Sequence, residues 1–258
     1  MPEFSSFPPG TPSWVDLSTP DTKAAAAFYG SVFGWSATDM GPDAGGYAMF
    51  QKDGATVAGL GPTHAESQPP VWTTYIGVID AEATVARAKV AGATVFIEPM
   101  KVLDAGYMAM FADPTGAVLG LWQPGQNTGV DVANEPGAWC WSELNTRDTD
   151  KASSFYRHVF DWSAAKSDAE GVDYVEWKRD DGATVGGMLE IPAMVPAEVP
   201  AHWLVYFAVD DTDATAAAAN QLGAVTLVPP TDIAPGRFCI LTDPAGAMFG
   251  IIKMAAAG

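Results

Sequence analysis

SWVDLSTPDTKAAAAFYGSVFGWSA, residues 13–37, returns as CWSELNTRDTDKASSFYRHVFDWSA at residues 140–164. In one unbroken register Trp14, Asp21, Phe28, Tyr29, Phe33 and Trp35 fall on Trp141, Asp148, Phe155, Tyr156, Phe160 and Trp162. The match continues beyond this stretch. GATVAG from Gly54 meets GATVGG from Gly182, WTTYIGVIDAEAT from Trp72 meets WLVYFAVDDTDAT from Trp203, and DPTGAVLG from Asp113 meets DPAGAMFG from Asp243. A repeat of this extent marks a repeated structural unit. The 258-residue chain is therefore expected to divide into a first domain at residues 1–126 and a second at 127–258.

Each copy divides again. WVDL alternates as a half-buried strand does, Thr19-Pro20-Asp21 supplies an N-cap candidate and a proline suited to the first helical position, and Ala24, Ala27, Phe28 and Val32 form an apolar stripe at helical spacing. Gly34 ends that helix. YAMFQKDGATVAGL then reads as two strands joined by the Asp53-Gly54 turn. The resulting βαβββ order recurs in a strand at 72–78, a helix at about 81–91 stopped by Gly92, and strands through 108–111 and 118–122. Four such units fill the chain. Their short, alanine-rich helices cannot stand alone and should cover the outer faces of strongly curved mixed sheets, which makes the fold α+β. The proline-rich stretches 61–70 and 188–201 read as connectors within each domain, and 123–137 as the linker between domains.

Composition narrows the partners. Against 13 Lys and Arg stand 31 Asp and Glu, a formal charge of −18, which repels both a phosphate backbone and an anionic membrane surface. Neither nucleic acid nor membrane is expected as a partner, and no apolar run approaches the roughly 20 residues of a membrane span. A cytoplasmic protein taking a small-molecule ligand, acting as a monomer, is the expectation. Cys140 and Cys239 form neither a disulfide framework nor a zinc knuckle and read as free thiols. Dinucleotide and phosphate-loop motifs are absent, so no cofactor is expected.

An acidic helix cap seven residues before a Phe-Tyr pair (Asp21 before Phe28-Tyr29, Asp148 before Phe155-Tyr156) and closing D-P-x-G turns (Asp113 to Gly116, Asp243 to Gly246) resemble the vicinal-oxygen-chelate superfamily of glyoxalases, bleomycin-resistance proteins and dioxygenases. The resemblance runs from Thr11 to Lys253. The PxWVDL start, GAxxGLW at mid-chain and HWxVYFAVDDxDAT later look like its tandem actinobacterial branch, labelled hydroxylase or glyoxalase-like. Such a resemblance implies four βαβββ units forming two tandem domains, each with a cup in which metal-dependent relatives hold a divalent ion. Carried onto this sequence, the three ligand positions fall on Trp14, Thr73 and Gly120 in the first domain and on Trp141, Leu204 and Gly250 in the second. None of these side chains suits a divalent metal, so no metal ligand is assigned.

Side chains two residues apart on a strand share a face. Trp14 with Asp16, Thr73 with Tyr75, and Gly120 with Trp122 should therefore line the first cup, and Trp141, Glu143, Tyr206 and His202 the second. Aromatic walls around one carboxylate suit a flat or cationic ligand, although tryptophans at strand starts equally well serve as core plugs. An inward carboxylate needs a partner or a ligand to offset its desolvation. Three functions compete: a metal-independent binding protein; an enzyme with Glu143 as general base and Tyr206 as acid, matched by Asp16 and Tyr75 in the first cup; and a structural or signalling role by protein contact, for which no motif speaks either way. A displaced metal site at Glu143 and His202 stays open as an alternative. His64 and His158 read as solvated bystanders. The turns at 104–107 and 234–237 are expected to frame the cup mouths, with Arg237 either an anion contact or a surface charge.

Overall fold

A computed structural model describes residues 6–63, 65, 67–167 and 173–255; His64 lies outside them. The first half runs β1 (Pro12–Thr19), α1 (Thr22–Phe33), β2 (Ser36–Asp39), β3 (Ala48–Lys52), β4 (Ala55–Pro62), β5 (Val71–Gly77), α2 (Ala81–Val90), β6 (Thr94–Val102), β7 (Gly106–Ala112) and β8 (Val118–Pro124). The second repeats it as β9 (Trp139–Thr146), α3 (Thr149–Phe160), β10 (Ser163–Lys166), β11 (Tyr174–Lys178), β12 (Thr184–Glu190), β13 (His202–Ala208), α4 (Thr212–Gln221), β14 (Val225–Ile233), β15 (Gly236–Thr242) and β16 (Met248–Met254). The expected connectors are shorter than read, because 61–62, 188–190 and 123–124 continue their strands.

Each half forms one eight-stranded sheet, in the orders β2-β3-β4-β1-β5-β8-β7-β6 and β10-β11-β12-β9-β13-β16-β15-β14. The two βαβββ units of a sheet meet at an antiparallel pair, β1 with β5 and β9 with β13. Parallel pairs flank it, β1 with β4 and β5 with β8 in the first sheet. The Asp53-Gly54 turn forms as expected, both residues taking positive φ (53° and 86°), the geometry a two-residue hairpin requires.

The Asp21 side chain caps α1, accepting from the backbone N–H of Lys23 and Ala24, and Gly34 closes it at φ 75°. Pro20 therefore lies just before the cap and not at the first helical position. The buried line is Ala25, Phe28, Tyr29 and Phe33, while Ala24 and Ala27 are exposed. The shift follows from what the helix must cover. α1 packs against α4 and sets Phe28 and Phe33 against Phe249 and Phe207 of the other sheet, and α3 packs against α2 and sets Phe155 against Phe111, so α1 and α3 are wedged between the backs of the two sheets.

The hydrophobic cores accordingly cross between halves. One combines the first unit with Phe207, Phe249 and Ile251 of the fourth; another combines Ile76, Phe111 and Leu121 of the second with Phe155, Tyr156 and Trp177 of the third. Buried polar groups lock this arrangement. Tyr29 donates to Asp243 Oδ2 at 3.1 Å and Tyr156 to Asp113 Oδ2 at 2.8 Å, each tyrosine oxygen accepting in turn from an indole N–H, of Trp72 or Trp203. The Phe-Tyr pair and the D-P-x-G turn are thus two halves of one contact, made across the domains. With the sheets back to back, the opposite face of each sheet carries the residues expected to line a cup.

Candidate functional site

The first concave face follows from strand register. On β1, Val15 and Leu17 are fully buried in the core, so Trp14 and Asp16 project the other way. Asp16 lies opposite Gly59 on β4 and Thr73 on β5, Trp14 lies opposite Tyr75, and Tyr75 opposite Gly120 on β8. Period-two reading thus brings Trp14, Asp16, Thr73 and Tyr75 together. Asp16 Oδ2 accepts from Tyr47 (3.0 Å) and Tyr75 (3.2 Å), while the Tyr47 oxygen accepts from Trp14 Nε1 at 3.1 Å. Trp122 sits on the next row and donates its indole N–H to Asn127 O at 2.8 Å.

Glycines make room for these tyrosines. A Cβ at Gly59 would meet the Tyr47 hydroxyl, and one at Gly120 the ring of Tyr75. Gly120→Ala should cost about 1–3 kcal/mol by overpacking, read as a lower urea midpoint, with most of that loss absent in a Tyr75→Ala background. Equal losses in both backgrounds would show that the ring does not set the constraint.

The second cup repeats the plan with other chemistry. Glu143, opposite Gly187 and Leu204, accepts from Tyr206 (3.3 Å), from Asn145 Nδ2 (3.2 Å) and from Tyr174. Trp141 Nε1 donates to the Tyr174 oxygen at 2.8 Å. Gly187 accommodates the Tyr174 hydroxyl and Gly250 the Tyr206 ring. His202, opposite Asn145, stands half-buried beyond this cluster and has its Nδ1 2.9 Å from Pro200 O.

Both carboxyls hold their protons more tightly than usual. Burial raises Asp16 to about 6 against the pull of two tyrosine hydrogen bonds, and raises Glu143 against those of Tyr174, Asn145 and Tyr206. Burial, and then the adjacent carboxylate, pushes Tyr47, Tyr75, Tyr174 and Tyr206 upward. The phenols therefore remain donors, and in the first cluster Asp16 is the group that exchanges a proton near pH 6.

The positions where the resemblance places metal ligands carry an indole, a threonine or leucine, and a glycine whose space a tyrosine ring already takes. Among the described residues no group of three or more His, Cys, Asp and Glu side chains could hold a metal ion. A divalent ion does not fit this donor set.

Tyr47, Tyr174 and Asn145 were not singled out by the sequence reading. Tyr47 and Tyr174 occupy the same place in the repeat, in register with Trp14 and Trp141, and that signal could have found them. Arg237, at a turn expected to frame the second cup, is a surface charge held by Asp213 (2.6 Å) and Asp232 (3.0 Å). His158 is exposed on α3, burial pushes the Cys140 thiol up to about 12, and Cys239 is buried.

Comparison with known proteins agrees with the fold. Residues 11–121 match the family model described as Glyoxalase/Bleomycin resistance protein/Dioxygenase superfamily, and residues 141–252 match a Glyoxalase-like domain. The chain is 43% identical to "Putative glyoxylase CFP32" of Mycobacterium tuberculosis, over 99% of both chains. It is 38% identical to "Anthracycline biosynthesis protein DnrV" of Streptomyces peucetius, over 97% of this chain and 96% of that one. Among solved structures, the Mn(II)-bound glyoxalase from Novosphingobium aromaticivorans superposes with a TM-score of 0.62 at 16% identity, covering 95% of this chain and 82% of that one. A mutant 4-hydroxymandelate synthase from Streptomyces coelicolor gives 0.63 at 16% identity, covering 98% and 94%. At these identities the structures share the fold. Among the described residues, no helix is long and apolar enough to cross a membrane.

Proposed function

The chain belongs to the Glyoxalase/Bleomycin resistance protein/Dioxygenase superfamily, and from that premise we propose that it is a metal-independent small-molecule binding protein, its ligand an aromatic or cationic metabolite or antibiotic. The observation that carries this reading is that in both cups the metal-ligand positions carry a tryptophan, a threonine or leucine and a glycine, with a buried carboxyl and two tyrosine hydroxyls hydrogen-bonded beside them. Such a floor offers aromatic faces and one acidic acceptor, the chemistry that recognises flat molecules and cations. Relatives named for anthracycline biosynthesis support an aromatic ligand. Trp14, Asp16, Thr73, Tyr75 and Trp122 would contact it in the first cup, and Trp141, Glu143, His202 and Tyr206 in the second. A cytoplasmic monomer belongs to the same proposal.

The test has two arms. Purified protein should contain less than stoichiometric metal, and Fe, Ni, Zn and Mn should not raise its melting temperature, whereas an anthracycline should bind saturably by calorimetry. Stoichiometric metal with metal-dependent stabilisation would overturn the metal-independent reading and bring Glu143 and His202 forward as ligands.

One observation favours an enzyme as the second reading: in each cup a carboxyl whose pKa burial raises lies beside protonated phenols, placed to move a proton. In that reading Glu143 takes a proton from an oxo or hydroxyl substrate, such as a 2-oxoaldehyde, and Tyr206 supplies one. Glu143→Gln should then abolish turnover and leave ligand affinity within a few-fold of the parent. Retained turnover would sink the assignment of the base.

A further inference from the structure

The two cups have the same plan but differ at one atom. In the second, Glu143 accepts from Asn145, Tyr174 and Tyr206. In the first, both tyrosines converge on Asp16 Oδ2, and Oδ1 is buried without a partner. The place of Asn145 is taken there by Ser18, which makes no hydrogen bond to Asp16 in its stead. The neighbours diverge in the same sense. Thr73 stands beside Asp16 where Leu204 stands beside Glu143. Met49 on β3 and Met110 on β7 line the first cup on the rows of Asp16 and Tyr75, where the second has Glu176 and Ile240. Both methionines are partly exposed, and unbranched thioether chains reshape around a flat guest more readily than branched ones do.

A buried acceptor left open costs free energy that a donor would recover. The geometry points to the first cup as the ligand site, with Asp16 Oδ1 receiving an N–H or O–H donor on the edge of a flat aromatic molecule, and to the second cup as a structural copy whose carboxyl is already satisfied. This inference rests on the binding reading above and assigns it to one cup and one recognition group.

Two probes of matched size separate the outcomes: 2-naphthol, which carries a donor, and 2-methoxynaphthalene, which does not. Wild-type protein should prefer 2-naphthol by roughly 10-fold or more, as a hydrogen bond to a charged acceptor requires. Ser18→Asn, which copies Asn145 into the first cup, and Asp16→Asn should each bring that preference to within about twofold while melting cooperatively. Saturable binding whose preference depends on Glu143, or is indifferent to both Ser18 and Asp16, would overturn the assignment and leave the binding reading intact. No saturable binding of either probe would overturn both.

Discussion

Asp113→Ala should destabilise the folded chain by about 3–5 kcal/mol, a large fraction of the stability of an ordinary domain. Asp113 is 3% exposed and serves two structures at once. Its Oδ1 accepts from the backbone N–H of Thr115 and Ala117 and from the Thr115 hydroxyl, which shapes the D-P-T-G turn. Its Oδ2 accepts from Tyr156 of the other half, whose oxygen accepts from Trp203 Nε1. Removing the carboxyl leaves the Ala117 N–H and the Tyr156 hydroxyl buried and unpaired and releases the half-buried Thr115 donors. Tyr156→Phe removes only the cross-domain part and should cost about 1–3 kcal/mol. If the two halves are bound together by this contact, the aspartate variant also loses cooperativity, with two resolved transitions in calorimetry. A single transition within 1 kcal/mol of the parent, on the order of one ordinary hydrogen bond, would show that the contact is incidental to the assembly.

The same residues show what the sequence could and could not convey. The repeat, the acidic caps and the Phe-Tyr and D-P-x-G motifs were all legible, because each depends on local spacing. That Tyr156 reaches Asp113 of the other copy was not, since periodicity says which side of a helix is buried and nothing about what covers it. Ala24 and Ala27 were misplaced for that reason: a helix wedged between two sheets buries a different line from one lying on a single sheet. In the cups, alternation correctly put Asp16 beside Tyr75 and Glu143 beside Tyr206. It passed over Tyr47, which follows a turn with glycines at 41, 45 and 46 where the strand pattern is interrupted. It also could not foresee that Asn145 would satisfy one carboxyl while the other kept an open oxygen, a difference of side-chain reach within the same register.

That open oxygen should make the protein more stable in mild acid than at neutral pH, and Asp16→Asn should remove the effect. The Asp16 carboxyl titrates at 3.8 in the unfolded chain and at about 6 when folded, burial being the main cause. Below 3.8 both states hold the proton, and the contribution of the group to folding is fully present. As pH rises the unfolded state releases its proton first, so the stabilisation drains away between about 4 and 6 and is lost above the folded value. Two pKa units correspond to about 3 kcal/mol. The asparagine side chain cannot titrate, so the stability of the variant relative to wild type should climb by about that amount between pH 4 and pH 8 in urea titrations. Any fixed cost of burying the amide is the same at both pH values and cancels from the difference, as does nearly all of the repulsion from the net charge, −18 in the parent and one unit less negative in the variant. Parallel stability curves for the two proteins would mean that Asp16 ionises in the folded state as freely as in the unfolded one, and an acceptor that comfortable has no need of a ligand.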